Sequence, residues 1–365
     1  MKRVPFNDLS RIHEPIQKKV FAKFSKVVQD SQFVLNKEIG EFECLFSEFT
    51  KSKYTVSCAN GTDALELILR ALEIGTNDEV ILPTNTFIAT ALAVSRCGAT
   101  PIFVDNDEFY LIDPNEVEKK ITKKTKAIIA VNLYGQLANL KELNKIAKAN
   151  SLQLIEDSAQ SHGASNESFL RNYSIASAYS FYPGKNLGAW GDGGAVTTNN
   201  KKLYEKILML RNWGSVKKYY HEEKGFNSRL QPLQGVVLAE KVKKLESWNK
   251  QRNNVAKKYL DDLSSNENIV LPKVIQGNFH VWHLFVIRTK NRSKILKEYE
   301  SHKVEFGIHY PLPIHRQNAY KEHKQYREKI KLADFYSSQL LSLPIFPYML
   351  DEEINRVVET VQKYN

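Results

Sequence analysis

The chain has 365 residues, 42% hydrophobic and 25% charged, which is enough for one large domain and a smaller one, each with a core. No apolar run reaches the roughly 18 residues of a membrane helix, and the N-terminus turns polar at Met1-Lys2-Arg3 without a signal-peptide core, so a cytoplasmic location is expected. The formal charge of +11 is compatible with nucleic acid, an anionic surface or a phosphorylated substrate; the lysines are scattered through stretches such as Lys241-Val242-Lys243-Lys244-Leu245 and Lys257-Lys258-Tyr259-Leu260, which read as solvated helix faces.

Residues 1–30 carry apolar periodicity at Val20, Phe21, Phe24 and Val27 and are expected to pack on the body as an arm and helix. From about residue 54 to 200, short β-rich runs alternate with helical patterns. Residues 54–58, 79–82, 101–104, 127–131, 152–156 and 194–198 read as buried strands, and residues 63–72 and 140–150 as helices between them. That alternation predicts an α/β fold, a largely parallel sheet flanked by helices, with ligands at the carboxyl ends of the strands. Past about residue 250, helical patterns at 251–263, 292–301 and 351–364 surround a few short strands, including 281–287. The predicted division is a large domain over 1–250 and a small C-terminal α+β domain over 251–365. Cys44, Cys58 and Cys97 are odd in number and widely spaced, as free thiols would be, and no CxxC or HExxH pattern suggests a metal site.

Four local features point to chemistry, and each has an ordinary reading beside it. Lys185 sits in Tyr182-Pro183-Gly184-Lys185-Asn186-Leu187-Gly188, a loop from which an amine can reach a ligand. Desolvation in a cleft lowers a lysine pKa and makes it a nucleophile or base; the alternative is a surface lysine. Asp157, in Ile155-Glu156-Asp157-Ser158-Ala159-Gln160, follows a buried strand and could pair with a protonated ring nitrogen or simply cap a helix. Asn60-Gly61-Thr62-Asp63 opens a helix whose free N–H groups suit a phosphate, or is an ordinary capped start. Arg229, in the polar loop Asn227-Ser228-Arg229, could pair with phosphate or lie on the surface.

Taken in order, these segments resemble the DegT/DnrJ/EryC1/StrS family of sugar aminotransferases. The matching stretches include Val4-Pro5-Phe6-Asn7-Asp8-Leu9, Pro83-Thr84-Asn85-Thr86-Phe87, Asn132-Leu133-Tyr134-Gly135-Gln136, residues 180–194 and Gly307-Ile308-His309-Tyr310-Pro311. The resemblance implies a fold type I enzyme that depends on pyridoxal 5'-phosphate (PLP). Lys185 then stands at the Schiff-base position and Asp157 at the partner of the pyridine nitrogen. Gln160 matches the contact to the ring hydroxyl, Phe87 the stacking aromatic, and Gly61, Thr62 and Ser180 the phosphate ligands. Asn227 matches an asparagine that reaches the phosphate from a neighbouring subunit, which implies a homodimer. Tyr182, Arg229, His309 and Tyr310 look like sugar-nucleotide contacts.

The implied reaction moves an amino group from L-glutamate to a nucleotide-linked keto-6-deoxy sugar. The segment 307–311 and His315 favour a dTDP-linked 3-keto sugar, and a 4-keto substrate is the alternative. A dehydratase of the same fold carries His in place of Lys185, and a regulatory role would need a DNA-reading element for which no helix-turn-helix fits. Whether the amino sugar enters an O-antigen, an S-layer glycan or an antibiotic is left open by the sequence. Three departures from the family pattern, Asn132 for His, Trp190 for an aliphatic residue and the glycine-poor stretch 166–172, bear on the substrate side of the pocket.

Overall fold

The structure, a computed structural model, describes residues 2–167 and 173–364. The central sheet has seven strands: β1 (Tyr54–Cys58), β2 (Glu79–Pro83), β3 (Thr100–Val104), β4 (Thr125–Val131), β5 (Gln153–Asp157), β7 (Ala176–Ser180) and β8 (Gly194–Thr198). A two-residue strand, β6 (Ser165–Asn166), precedes β7 outside this sheet. The spatial order is β1-β8-β7-β5-β4-β2-β3. Only β8 runs against its neighbours, pairing antiparallel with both β1 and β7, while β7, β5, β4, β2 and β3 are parallel. Carboxyl ends of six strands therefore open on one edge, as the α/β, fold type I reading requires.

Helices α1 (Ser10–Asp30), α2 (Lys37–Thr50), α3 (Gly61–Ala71), α4 (Ala89–Arg96), α5 (Pro114–Lys120), α6 (Leu140–Ala149) and α7 (Lys201–Leu210) cover this sheet together with α8 (Pro232–Asp262). Their starts follow local chemistry: the side chains of Asn36, Asn60, Asp113, Asn139 and Asn200 each accept from a backbone N–H in the first turn. Phe42 and Phe46 of α2 and Leu238 and Leu245 of α8 pack against Tyr179 and Phe181, and the opposite strand faces join a continuous apolar core. A short ribbon, β9 (Ser215–Lys217) and β10 (Tyr220–His221), projects with Val216, Tyr219 and Tyr220 exposed.

The C-terminal part contains β11 (Ile269–Val270), β12 (Asn278–Phe279), β13 (Phe285–Thr289), α9 (Arg292–Lys297), α10 (Tyr299–His302), α11 (Lys331–Ser337), β14 (Leu340–Leu343) and α12 (Asp351–Gln362). Strands β11, β13 and β14 form an antiparallel sheet, and β12 pairs with β6. Alternation along β13 serves two cores. Phe285 and Ile287 pack with Leu341, Leu343, Val357 and Val361 in a second core, whereas Val286 joins the core of the large sheet. Val4, completely buried, bridges to Val304 in that second core.

Two elements differ from the sequence reading. Helix α8 runs unbroken through residue 250, so the predicted helix at 251–263 is its second half and no linker lies there. Residues 281–284 are not strand; Val281 and Leu284 donate instead to the carbonyls of Gly135 and Tyr134, wrapping that turn.

Candidate active site

The carboxyl ends of β1, β2, β5 and β7 open into a cavity of about 890 Å³, walled on the far side by His283, His309 and Tyr310 from the C-terminal part. Asp157, the last residue of β5, is buried in its wall. Thr90 on α4 donates to its Oδ2 at 2.7 Å and the Ala159 N–H to its Oδ1 at 3.1 Å. Burial nevertheless pushes the Asp157 carboxyl upward, against those two bonds and the nearby Lys185 charge. A carboxylate so placed is stabilised by a cation arriving in the cavity.

Lys185 lies on the same cavity wall, in the turn after β7. Burial brings its amine down to about 8, with Asp157 opposing, so a neutral, nucleophilic form is accessible near physiological pH. Its neighbour Asn186 anchors the turn. The Asn186 amide nitrogen donates to Asn249 Oδ1 and the Val281 carbonyl, at 3.0 and 2.9 Å, leaving its oxygen for His283 Nδ1 at 3.2 Å.

At the β1 end, Gly61 and Thr62 begin α3 against Ser180, the last residue of β7. A Cβ on Gly61 would come within 2.6 Å of Ser180 Cβ, so only glycine lets the helix start sit this close. The result is a set of helix N-terminal N–H groups beside a hydroxyl, a shape that suits an anion. Opposite, Gln160 is fixed at both ends of its amide: Oε1 accepts from the Tyr134 N–H at 2.7 Å and Nε2 donates to the Tyr310 hydroxyl at 3.1 Å. The Tyr134 hydroxyl donates in turn to the His309 carbonyl. His309, with Ser342 at 2.8 Å from Nδ1, is held down to about 4 by burial and then by the Lys185 charge, and is neutral. Phe87 is 55% exposed, its ring centre 5.9 Å from that of Tyr310, and Tyr182 is 60% exposed.

The structure thus brings Lys185, Asp157, Gly61, Thr62, Phe87, Gln160, Ser180, Tyr182, His309 and Tyr310 to one cavity. Asn227 and Arg229 are elsewhere: Asn227 is exposed, and Arg229 donates to Asn212 Oδ1 at 3.0 Å beside the Trp213 ring. Two of the departures from the family pattern, Asn132 and Trp190, also fall away from the cavity. Asn132 is fully buried, donating to Glu156 and Ser158 at 2.8 and 3.1 Å and accepting from the Ala138 N–H. Trp190 packs edge-on against His13, Phe21 and Phe24 of α1. Of the stretch 166–172, residues 168–172 lie outside the described residues. Thr90, Asn186 and His283 were not singled out from the sequence. Thr90 lies in the first turn of α4 and His283 in irregular backbone, and neither carried a periodic signal that would have marked it.

Comparison with known proteins decides the family. Residues 14–362 match the DegT/DnrJ/EryC1/StrS aminotransferase family. The chain belongs to that family. It is an aminotransferase, and it is 45% identical over 363 residues to the dTDP-3-amino-3,6-dideoxy-alpha-D-galactopyranose transaminase of Aneurinibacillus thermoaerophilus, covering 99% of each chain. Among solved structures, DesV of S. venezuelae in complex with a ketimine intermediate superposes with a TM-score of 0.97 at 39% identity, over 100% of this chain and 99% of that one. The Bacillus subtilis protein ntda with bound cofactor PMP gives 0.93 at 30% identity, over 100% and 85%. Among the described residues, no helix is long and apolar enough to cross a membrane.

Proposed function

We propose that this aminotransferase uses PLP, bound through Lys185, to move an amino group from L-glutamate to C3 of a dTDP-linked 3-keto-6-deoxyhexose. The observation that carries the reading is the pairing of a buried, doubly hydrogen-bonded Asp157 with a desolvated Lys185 on one cavity wall. The cavity fits the cofactor. A buried carboxylate whose pKa is pushed up needs a cation such as a ring N–H⁺, and the Gly61–Ser180 approach forms an anion cradle at the other end of the site.

In this reading Asp157 holds the ring nitrogen protonated, Gln160 contacts the ring hydroxyl, Phe87 stacks on the ring, and Gly61, Thr62 and Ser180 take the phosphate. PLP, when bound, supplies an aldehyde that condenses with amines and a ring that accepts the electron pair left on carbon. Lys185 does the proton work: its amine removes the proton from the α-carbon of glutamate and delivers one to C3 of the sugar. His309, kept neutral, Tyr310 and Tyr182 face the substrate side of the same cavity.

The reading includes a homodimer, a cytoplasmic site of action and a large domain joined to a small C-terminal one. Asn227 and Arg229, outside the cavity of their own chain, are assigned to a partner's site. The dTDP-sugar transaminase named above supports the substrate class.

The test is direct. The purified protein is incubated with PLP, L-glutamate and the 3-keto or 4-keto isomer of a dTDP-6-deoxyhexose, and the product is identified by mass and NMR. A 3-amino sugar is expected. A product aminated only at C4 contradicts the regiochemistry, and failure to consume either isomer contradicts the dTDP-sugar assignment.

A further inference from the structure

Helix α8 carries polar side chains at Gln234, Lys241, Asn249, Arg252 and Tyr259, spaced so that they fall on one helix face. Each grips a loop. Gln234 Oε1 accepts from the Trp190 N–H at 2.8 Å, and Asn249 donates to the His162 carbonyl at 2.8 Å. Arg252 donates to the carbonyls of Trp282 and Ile345, and Tyr259 to that of Pro344.

Lys241 and Arg252 are the two buried cations of this row, and Lys241 is the one that reaches the turn carrying Lys185. Lys241 is fully buried, and among the described residues no carboxylate pairs with it. Burial brings its amine down to about 7. Burying an unpaired lysine opposes folding, and a leucine or methionine would pack the same helix face without that penalty. What Lys241 does make is a 2.6 Å hydrogen bond to the Gly188 carbonyl and a 3.1 Å contact with His13 Nε2 on α1. His13, held down to about 4 by burial and then by Lys241, is neutral and accepts.

Gly188 closes the turn that carries Lys185. A Cβ there would meet the Pro183 carbonyl oxygen at 2.1 Å, so the turn folds tightly on itself. Its other end is held by Asn7, which donates to the Gly184 carbonyl at 3.3 Å. The N-terminal arm thus touches both ends of the turn, through Asn7 at Gly184 and through His13 and Lys241 at Gly188.

We propose that Lys241 is a positioning residue for Lys185: by holding the Gly188 carbonyl it fixes the turn, and through His13 it makes the N-terminal arm part of the active-site support. The inference rests on the reading of Lys185 as the cofactor-bearing lysine.

The test compares wild type, Lys241→Met and His13→Phe, each loaded with PLP, by steady-state kinetics, thermal unfolding and the pH midpoint of the cofactor's absorbance change. Lys241→Met is expected to lower kcat about tenfold with KM for both substrates within about twofold, and to move the absorbance midpoint. His13→Phe is expected to move both readouts the same way by less, about threefold in kcat. A folded Lys241→Met enzyme with wild-type kcat and midpoint overturns the proposal, as does one altered only in thermal unfolding. If Lys241→Met does not fold, His13→Phe decides, and unchanged kcat and midpoint there overturn it. A wild-type protein that shows no cofactor absorbance and no turnover refutes the functional reading instead.

Discussion

At the inner wall of the cavity Asp157 and Gln160 are each held by hydrogen bonds from the chain itself. At the more open wall Phe87 and Tyr182 stand 55% and 60% exposed, and Arg229 and Asn227 lie outside the cavity altogether. The inner groups are oriented before any ligand arrives, the condition for electrostatic stabilisation without reorganisation. Under the proposed function, the outer groups complete the site together with a substrate or a second subunit. Changes at the inner wall should therefore act on kcat, and changes at the open wall on KM.

The largest effect is expected from Lys185→Ala, which removes both nucleophile and base: turnover should fall by about 10⁴-fold or more while circular dichroism stays native. Asp157→Asn keeps the shape and removes the charge. We expect kcat to fall by about 10²–10³-fold, with much smaller change in KM for the keto-sugar; a KM-dominated loss breaks the distinction between the two walls.

Acidification tests the neutral histidines. His280 is held near 3, and His309 and His315 near 4, each chiefly by burial. Between these values and 6.5 the unfolded chain binds protons that the folded chain does not, so stability present above pH 6.5 is lost as pH falls toward 4. Urea midpoints of the cofactor-free protein should drop steadily over that window. A flat profile would mean the histidines are protonated in the fold.

Thr90→Val deletes one donor to Asp157 without changing bulk. A bond to a charged acceptor contributes about 1.5–3 kcal/mol, so we expect kcat lower by about tenfold or somewhat more and the Asp157 carboxyl raised further. Smallest of all, Tyr182→Phe should leave kcat nearly intact and raise KM for the sugar by about two- to fivefold. An equal loss in kcat would place Tyr182 with the inner wall.

The same division explains what the sequence disclosed. Six of the seven central strands carry branched or aromatic apolar runs and were legible by pattern. The seventh, β7, reads Ala-Ser-Ala-Tyr-Ser, and its small residues carry no strand signal. They are small because α3 presses on this strand, as the approach of Gly61 to Ser180 shows.

Asp157 and the Gly61 helix start were legible because each combines a reactive or glycine residue with a strand end, and Lys185 because it stands in a loop between Gly184 and Gly188. Lys241 was misread as part of a solvated face, because α8 is buried all round over residues 235–242 and a single helical period cannot reveal that. Asn132 and Trp190 were expected to bear on the substrate pocket. Their actual partners, Glu156 and the α1 aromatics, lie far along the chain and are invisible to local pattern.

The central claim concerns a single amine. The protein is loaded with PLP, reduced with borohydride, digested and mapped by mass spectrometry. The account predicts a stable pyridoxyl adduct on Lys185 that is absent from the unreduced control and prevented in Lys185→Ala. An adduct confined to another lysine, or no adduct at all in a protein that has taken up the cofactor, would contradict it.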